Sequence, residues 1–215
     1  MKFLTSLRSL PRAIVVCLGI IVITFAITQS DKSPSSLASY QGIDVITTST
    51  DTPDESKPNA SAYVWQGSAE QPKEIRIPSQ GVQAYIQKMG VDQNGKIAVP
   101  SNIHLAGWYT GSTLPNTAGI SVIVGHVTGK KEDGIFKTLP KLSPKDTVIV
   151  MLGDGAELTY EVIQTLTVKE KDATNFLFSA EPGVAKQLNL ITCGGEFNIA
   201  QNQYEDRVIV SARQL

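Results

Sequence analysis

The pattern of apolar and polar positions divides the chain into three parts. Ala13 to Thr28, AIVVCLGIIVITFAIT, is an apolar run without charge, and Lys2, Arg8 and Arg12 precede it. A helix over this run rises about 24 Å, slightly short of a ~30 Å hydrocarbon core, a gap that flanking residues and local thinning close. Cations stand only before the run, and no small-residue cleavage site follows at Ile27-Thr28-Gln29. Residues 1–28 therefore read as a cytoplasmic N-terminus and a single uncleaved transmembrane helix, in preference to a cleaved signal peptide or a buried core helix. Everything after residue 28 is then expected outside the cell. Residues 29–74, rich in Ser, Thr, Pro, Asp and Asn, sustain no period of 2 or 3.6 and read as a flexible extracellular tether. Within it, Tyr63-Val64-Trp65 is expected to dock, because exposed aromatics are costly to leave loose.

From Ile75 the texture changes to short apolar runs separated by Gly, Pro, Asn and Asp. The runs are Ile75–Ile77, Val82–Ile86, Ile97–Val99, Ile120–Val124, Val148–Met151, Glu157–Val168, Leu188–Thr192 and Val208–Val210. In Glu157–Val168 the even positions are apolar except Gln164, and the odd ones mostly polar, as in a half-buried strand. No segment carries a sustained helical stripe, although Asn102–Tyr109 and Gly134–Leu139 could each make a turn or two. The expectation for 75–215 is an all-β domain. About eight strands in one domain suggest a closed barrel, which removes exposed edges.

Composition narrows the function. Lys+Arg 19 against Asp+Glu 20 gives a formal charge of −1, without the basic stripe that nucleic-acid binding needs. The chain has no P-loop and no GxGxxG. Two cysteines and two histidines leave no metal site of several ligands, and Glu132 with Asp133 offers too few oxygens for calcium. No cofactor is expected. Any histidine-dependent chemistry must use His104 or His126.

Cys17 lies in the apolar run and reads as a small buried hydrophobe. Cys193 closes the apolar run Leu188–Thr192 and precedes Gly194-Gly195. That position suits either a core cysteine at a strand terminus or a thiol nucleophile beside open backbone N–H groups. A free thiol on an exported domain keeps the second reading alive, since structural cysteines there usually pair. His126 and Arg207 sit at the edges of core strands too, and each alone reads as a structural residue or a solvated cap. His104, in a loop or short helix, reads as a surface or packing histidine.

Taken together in order, these pieces resemble the sortase family of cysteine transpeptidases. The resemblance is carried by Ile75-Arg76-Ile77-Pro78, Gly107-Trp108-Tyr109, Ile123-Val124-Gly125-His126-Val127, and Ile135-Phe136 with Leu139 and Leu142. It continues in Leu190-Ile191-Thr192-Cys193-Gly194-Gly195-Glu196-Phe197 and in Tyr204-Glu205-Asp206-Arg207-Val208-Ile209-Val210-Ser211-Ala212. It covers nearly all of 75–215, which it marks as a sortase-like catalytic domain. In detail it is most similar to class F sortases, with one departure: class F members often carry Asn where this chain has Arg207, as the wider family does.

The resemblance implies a membrane-anchored enzyme that cleaves an LPxTG-like sorting signal through a thioester. The acyl group would pass to an amine acceptor, a cell-wall precursor or a pilin lysine. It implies Cys193 as nucleophile, His126 as acid and base, Arg207 as donor to the oxyanion and peptide, with Gly194 N–H and the Thr192 hydroxyl as further aids. An aspartate that commonly follows the histidine by two is here Thr128. Two other readings remain. A non-catalytic exported barrel binding peptide or wall would not need all three of His126, Cys193 and Arg207. An L,D-transpeptidase should show a Ser-His-Gly-Cys run, and here Thr192 precedes Cys193. Leu114-Pro115-Asn116-Thr117-Ala118 looks like a sorting signal but has no apolar tail behind it, and reads as a turn.

Overall fold

The computed structural model describes residues 37–40, 43–50, 52–59, 63–200 and 203–215. The apolar run 13–28 lies outside the described residues, and among those described no helix is long and apolar enough to cross a membrane. The strands are β1 Leu37–Tyr40, β2 Ile43–Ile46, β3 Pro72–Ile77, β4 Val82–Met89, β5 Ala106–Tyr109 and β6 Gly119–Gly125. They continue as β7 Thr147–Leu152, β8 Glu157–Lys169, β9 Lys186–Asn198 and β10 Gln203–Gln214. One short helix, α1 Ala173–Leu177, lies between β8 and β9.

The sheet runs β4-β3-β7-β8-β10-β9-β6-β5, and β5 pairs back onto β4 in parallel, Ile86 opposite Ala106 and Met89 opposite Tyr109. Eight strands thus close a barrel, as the spacing of apolar runs predicts. The β1–β2 hairpin joins it through Ile46 and Met89. The membership of the eight differs from the expectation at two places. Ile97–Val99 is not a barrel strand: Ile97 makes a single bridge to Val91, and Ala98 is fully buried in a cluster outside the barrel. Its apolar character comes from packing onto the outer wall. Ala106–Tyr109, expected to turn, is β5. It is buried on both faces, so no alternation marks it, and a Cβ at Gly107 would meet Met89 Cγ at 2.3 Å. Gly134–Leu139 does turn, closing on a 3-10 turn at Leu139–Lys141.

Two apolar clusters divide the strands by parity. The interior holds Ile75, Ile77, Ile86, Trp108, Ile123, Val148, Tyr160, Leu188, Leu190, Val208 and Val210. The outer cluster holds Met89, Ala98, Val122, Val124, Ala173, Leu177 and Ile209, with Val168 and Ile191 packed against it. Period-2 alternation makes this possible, since successive side chains leave a strand on opposite faces. Along β8, Leu158, Tyr160 and Val162 point inward, but Val168 joins the outer cluster. The change falls where the register with β10 shifts between Ser211 and Ala212, whose partners are Gln164 and Val162. The polar exception in the even series, Gln164, marks this bulge.

Buried amides tie α1 to the wall. Asn189 Nδ2 donates to Leu177 O at 2.6 Å, and Gln187 Nε2 donates to Ser179 O and to Asn189 Oδ1. Asn189→Ala is expected to cost about 1–3 kcal/mol, because it strands the Leu177 carbonyl and one Gln187 contact without water. Chemical denaturation of variant and parent measures it.

Candidate active site

β9 and β10 lie antiparallel, with Arg207 directly opposite Cys193, Ile209 opposite Ile191 and Asp206 opposite Gly194. Neither Cys193 nor Arg207 stands at a strand terminus: β9 runs on to Asn198 and β10 starts at Gln203. The apolar pattern stops at Cys193 because burial does, while backbone pairing continues into an exposed hairpin. On the other side β9 pairs in parallel with β6, Val124 opposite Ile191. The pairing ends there, but the Thr192 hydroxyl donates to Gly125 O, so the chain segments that carry Cys193 and His126 leave the pair side by side. Their separation in sequence, 193 − 126 = 67, is the same as that of the paired residues, 191 − 124 = 67. Parity places Cys193 and Arg207 with Ile191 and Ile209 on the outer face of the barrel, while His126 follows directly after β6.

That face carries a groove of about 620 Å³. Its floor is Val124, Ile191, Cys193 and Arg207; one wall comes from Val91–Val99, and the other from Glu170–Leu177 and Phe178. Phe178 also meets Tyr109 edge-to-face at 6.2 Å. A second cavity of about 500 Å³ adjoins His104, Glu74 and Tyr85 and includes none of these groups. His104 is a fastener there: its Nε2 lies 3.0 Å from Glu55 O and 3.5 Å from Glu132 Oε2.

The His126 ring is oriented from the β4–β5 loop, where its Nε2 lies 2.6 Å from Pro100 O. A carbonyl only accepts, so Nε2 carries the hydrogen and Nδ1 is left to exchange protons. Burial lowers the His126 pKa, and the Pro100 bond opposes that shift in part. Thr128 plays no part in holding the ring; its hydroxyl donates to Gly129 O and Glu132 O within the following loop. Thr192 faces the barrel interior, and its buried hydroxyl donates to Gly125 O at 2.8 Å. That bond ties the residue before Cys193 to the residue before His126. At Gly194 a Cβ would come within 2.8 Å of Val208 Cγ2, so close strand contact requires the glycine.

Cys193 is a free thiol. Burial raises its pKa; Arg207 and Lys96 pull it down, and Glu170 pushes it up. Arg207 Nη1 donates to Tyr204 O at 2.9 Å and to Asp206 O at 2.8 Å, while Nη2 lies 3.7 Å from Glu170 Oε1. Glu170 is in turn bound by Lys96 Nζ at 2.8 Å, which is the main cause of its lowered pKa. Sequence reasoning passed over Lys96, Pro100 and Glu170. A Glu-Lys-Asp run at a strand end reads as a solvated loop, and no local pattern distinguishes this one. Among the described residues no group of three or more acidic, His or Cys side chains could hold a metal.

The segment before the barrel also makes described contacts. Tyr63 stacks on Tyr85 at 4.5 Å, and a Cβ at Gly153 would meet the Trp65 ring at 2.6 Å. Asp54 N donates to Ser101 O at 2.7 Å, and the Glu55 carboxylate accepts the backbone N–H groups of Lys130 and Lys131.

The described residues thus form a closed eight-stranded barrel, with Cys193 and Arg207 paired on adjacent strands in one outer groove and His126 just past the end of the neighbouring β6. The sortase domain model matches residues 75–215, and the chain belongs to the sortase family, the cysteine transpeptidases that act on LPxTG-like substrate proteins and amine acceptors. Sortase A from Corynebacterium diphtheriae, in a lid-mutant form, is 26% identical with a TM-score of 0.51, over 67% of this chain and 69% of that one. Two further structures share the fold at 20% identity. Sortase C2 of Group B Streptococcus pilus island 1 has a TM-score of 0.51, over 69% of this chain and 76% of that one. Sortase D5 of Clostridium perfringens has a TM-score of 0.50, over 67% and 79%. No curated protein matches the chain.

Proposed function

We propose that this chain is a membrane-anchored sortase, similar in its motifs to class F, that cleaves an LPxTG-like signal and transfers the acyl part to an amine on the cell surface. Residues 1–28 are its cytoplasmic end and anchor and 75–215 the main part of its catalytic domain; of 29–74, expected as a flexible extracellular tether, the described part packs on the barrel, with β2 paired to β4, Tyr63 stacked on Tyr85 and Pro72–Glu74 already in β3. The observation that supports the chemistry best is the register: Arg207 opposite Cys193, with His126 two steps beyond the Val124–Ile191 pair.

In the proposed reaction the Cys193 thiolate attacks the Thr carbonyl of the signal, and the oxyanion forms against Arg207 and the Gly194 N–H. The C–N bond then breaks, and the leaving amine takes a proton from the His126 imidazolium. The acceptor amine attacks the thioester, gives its proton to His126 and releases the thiolate. Thr192 serves from the inner face, by holding the ends of β6 and β9 in register.

The pKa directions determine the pH dependence. The competent form pairs a thiolate with an imidazolium, yet burial raises Cys193 and lowers His126. At neutral pH most molecules hold a thiol and a neutral imidazole, and the competent pair is a minor fraction. Its population is greatest between the two pKa values, falling below the histidine's as the thiolate is lost and above the cysteine's as the imidazolium is lost. A bell-shaped kcat/KM is expected, and His126→Ala should remove the dependence on imidazolium along with most of the rate. Full-length protein in detergent, incubated with a sorting-peptide library and an amine, should give mass-spectrometric transfer products. Absence of any acyl-enzyme across the library would refute the proposal.

A further inference from the structure

The two walls of the groove meet through three charges in a row. Lys96 comes from the β4–β5 loop, Glu170 from the turn after β8, and Arg207 from β10. Glu170 Oε1 serves both cations, at 2.8 Å from Lys96 Nζ and 3.7 Å from Arg207 Nη2. The arrangement is half sheltered: 27% of the Glu170 side chain and 16% of the Arg207 side chain remain exposed, against 58% for Lys96. Arg207 commits Nη1 to two carbonyls of its own strand, so Glu170 is the described partner that draws Nη2 toward the groove wall.

We propose that Glu170 is a positioning residue of this centre: held by Lys96 from the opposite wall, its carboxylate restrains the Arg207 guanidinium and offsets its positive charge beside Cys193. The inference rests on the reading of Cys193 and Arg207 as the reacting pair. Neither Lys96 nor Glu170 needs to touch the scissile bond for it. With Glu170 ionised, the guanidinium is angled by a fixed anion rather than left to solvent, and its charge is shared. With Glu170 neutral, Arg207 loses its outer restraint, while the thiolate gains from two uncompensated cations. Opposite effects on nucleophile and donor follow from one substitution.

The charged and titratable groups that line the groove with Cys193 are Arg207 on β10, Glu170 and Lys171 after β8, and Asp92, Lys96 and Tyr109 from the β4–β5 region; His126 follows directly after β6. Of these, Glu170 is the anion that acts to raise the thiol's pKa, and Lys96 and Arg207 lower it. The sign is therefore definite. Removing the anion must ease thiolate formation, and removing Lys96 must hinder it.

The test measures Cys193 alkylation by iodoacetamide against pH in the full chain, with labelling located by mass spectrometry, alongside kcat and KM for a sorting peptide. Glu170→Gln, nearly isosteric and partly exposed, should fold. Its alkylation midpoint should fall by several tenths of a pH unit to about one. Its kcat should drop on the order of tenfold with KM changed less than about threefold, despite the more reactive thiol. Lys96→Gln should move the alkylation midpoint upward. An unmoved or rising midpoint in Glu170→Gln, or an unchanged kcat, overturns the proposal, as does a downward shift in Lys96→Gln. Alkylation needs no peptide, so a parent protein that forms no acyl-enzyme would overturn the transpeptidase reading while the midpoints still decide the electrostatic role of Glu170.

Discussion

Cys193→Ala is expected to abolish both transpeptidation and the acyl-enzyme, with a loss of about 10⁴-fold or more, because no other group can form the thioester. Cys193 is a free thiol on the groove floor, with Arg207 opposite it on β10 and His126 just past the end of the neighbouring β6. The substitution removes a small side chain at a half-buried outer position, so the barrel should remain intact and the thermal midpoint nearly unchanged. Cys17, far from this domain in sequence, should be replaceable by Ala without effect on the activity of the domain. Intact-mass spectrometry with a sorting peptide reads the acyl-enzyme directly. Activity surviving in Cys193→Ala would sink the mechanism.

Arg207→Lys should be nearly as damaging although it keeps the charge. The guanidinium divides its donors, with Nη1 on the carbonyls of Tyr204 and Asp206 and Nη2 toward Glu170. A single ammonium cannot anchor itself on the strand, answer Glu170 and still present a donor to a developing oxyanion. Loss of one oxyanion donor costs about 2.7–4 kcal/mol of barrier, a fall of 10²–10³-fold in kcat. Thermal stability should change little, since the side chain lies on the groove floor rather than in either apolar cluster. Arg207→Asn separates the two forms of the site: near-normal turnover there would mean that this chain works as the Asn-bearing class F members do. The oxyanion would then depend on Gly194 N–H and another donor. Steady-state kinetics on the three proteins decides it.

The barrel could be anticipated because burial writes itself into alternation wherever one face of a strand is dry. β8 shows this, and even its bulge is marked by Gln164, whereas Val208-Ile209-Val210 of β10 is buried on both faces. The same rule fails for β5, whose two faces are both covered, and for Ile97–Val99, whose apolar side chains pack on the outer wall without joining the sheet. Cys193, His126 and Arg207 were legible because side-chain chemistry, order and a 67-residue offset belong to the chain itself. That offset is a register written in sequence numbers, yet only the parallel pairing of β6 with β9 gives it spatial meaning.

What the sequence by itself determined was the kind of fold and the family resemblance, with Cys193, His126 and Arg207 as its candidate groups, since each depends on residue identity and short-range periodicity. The tertiary structure alone decided which face of the barrel carries the groove, that Nε2 of His126 is held by Pro100, and that Thr192 faces inward and bonds Gly125 O. It also decided that Glu170 stands between Lys96 and Arg207. These are contacts between loops distant in sequence, made by single side chains and carbonyls. Nothing in local propensity constrains them, and they exist only once the closed sheet has brought its loops to one side.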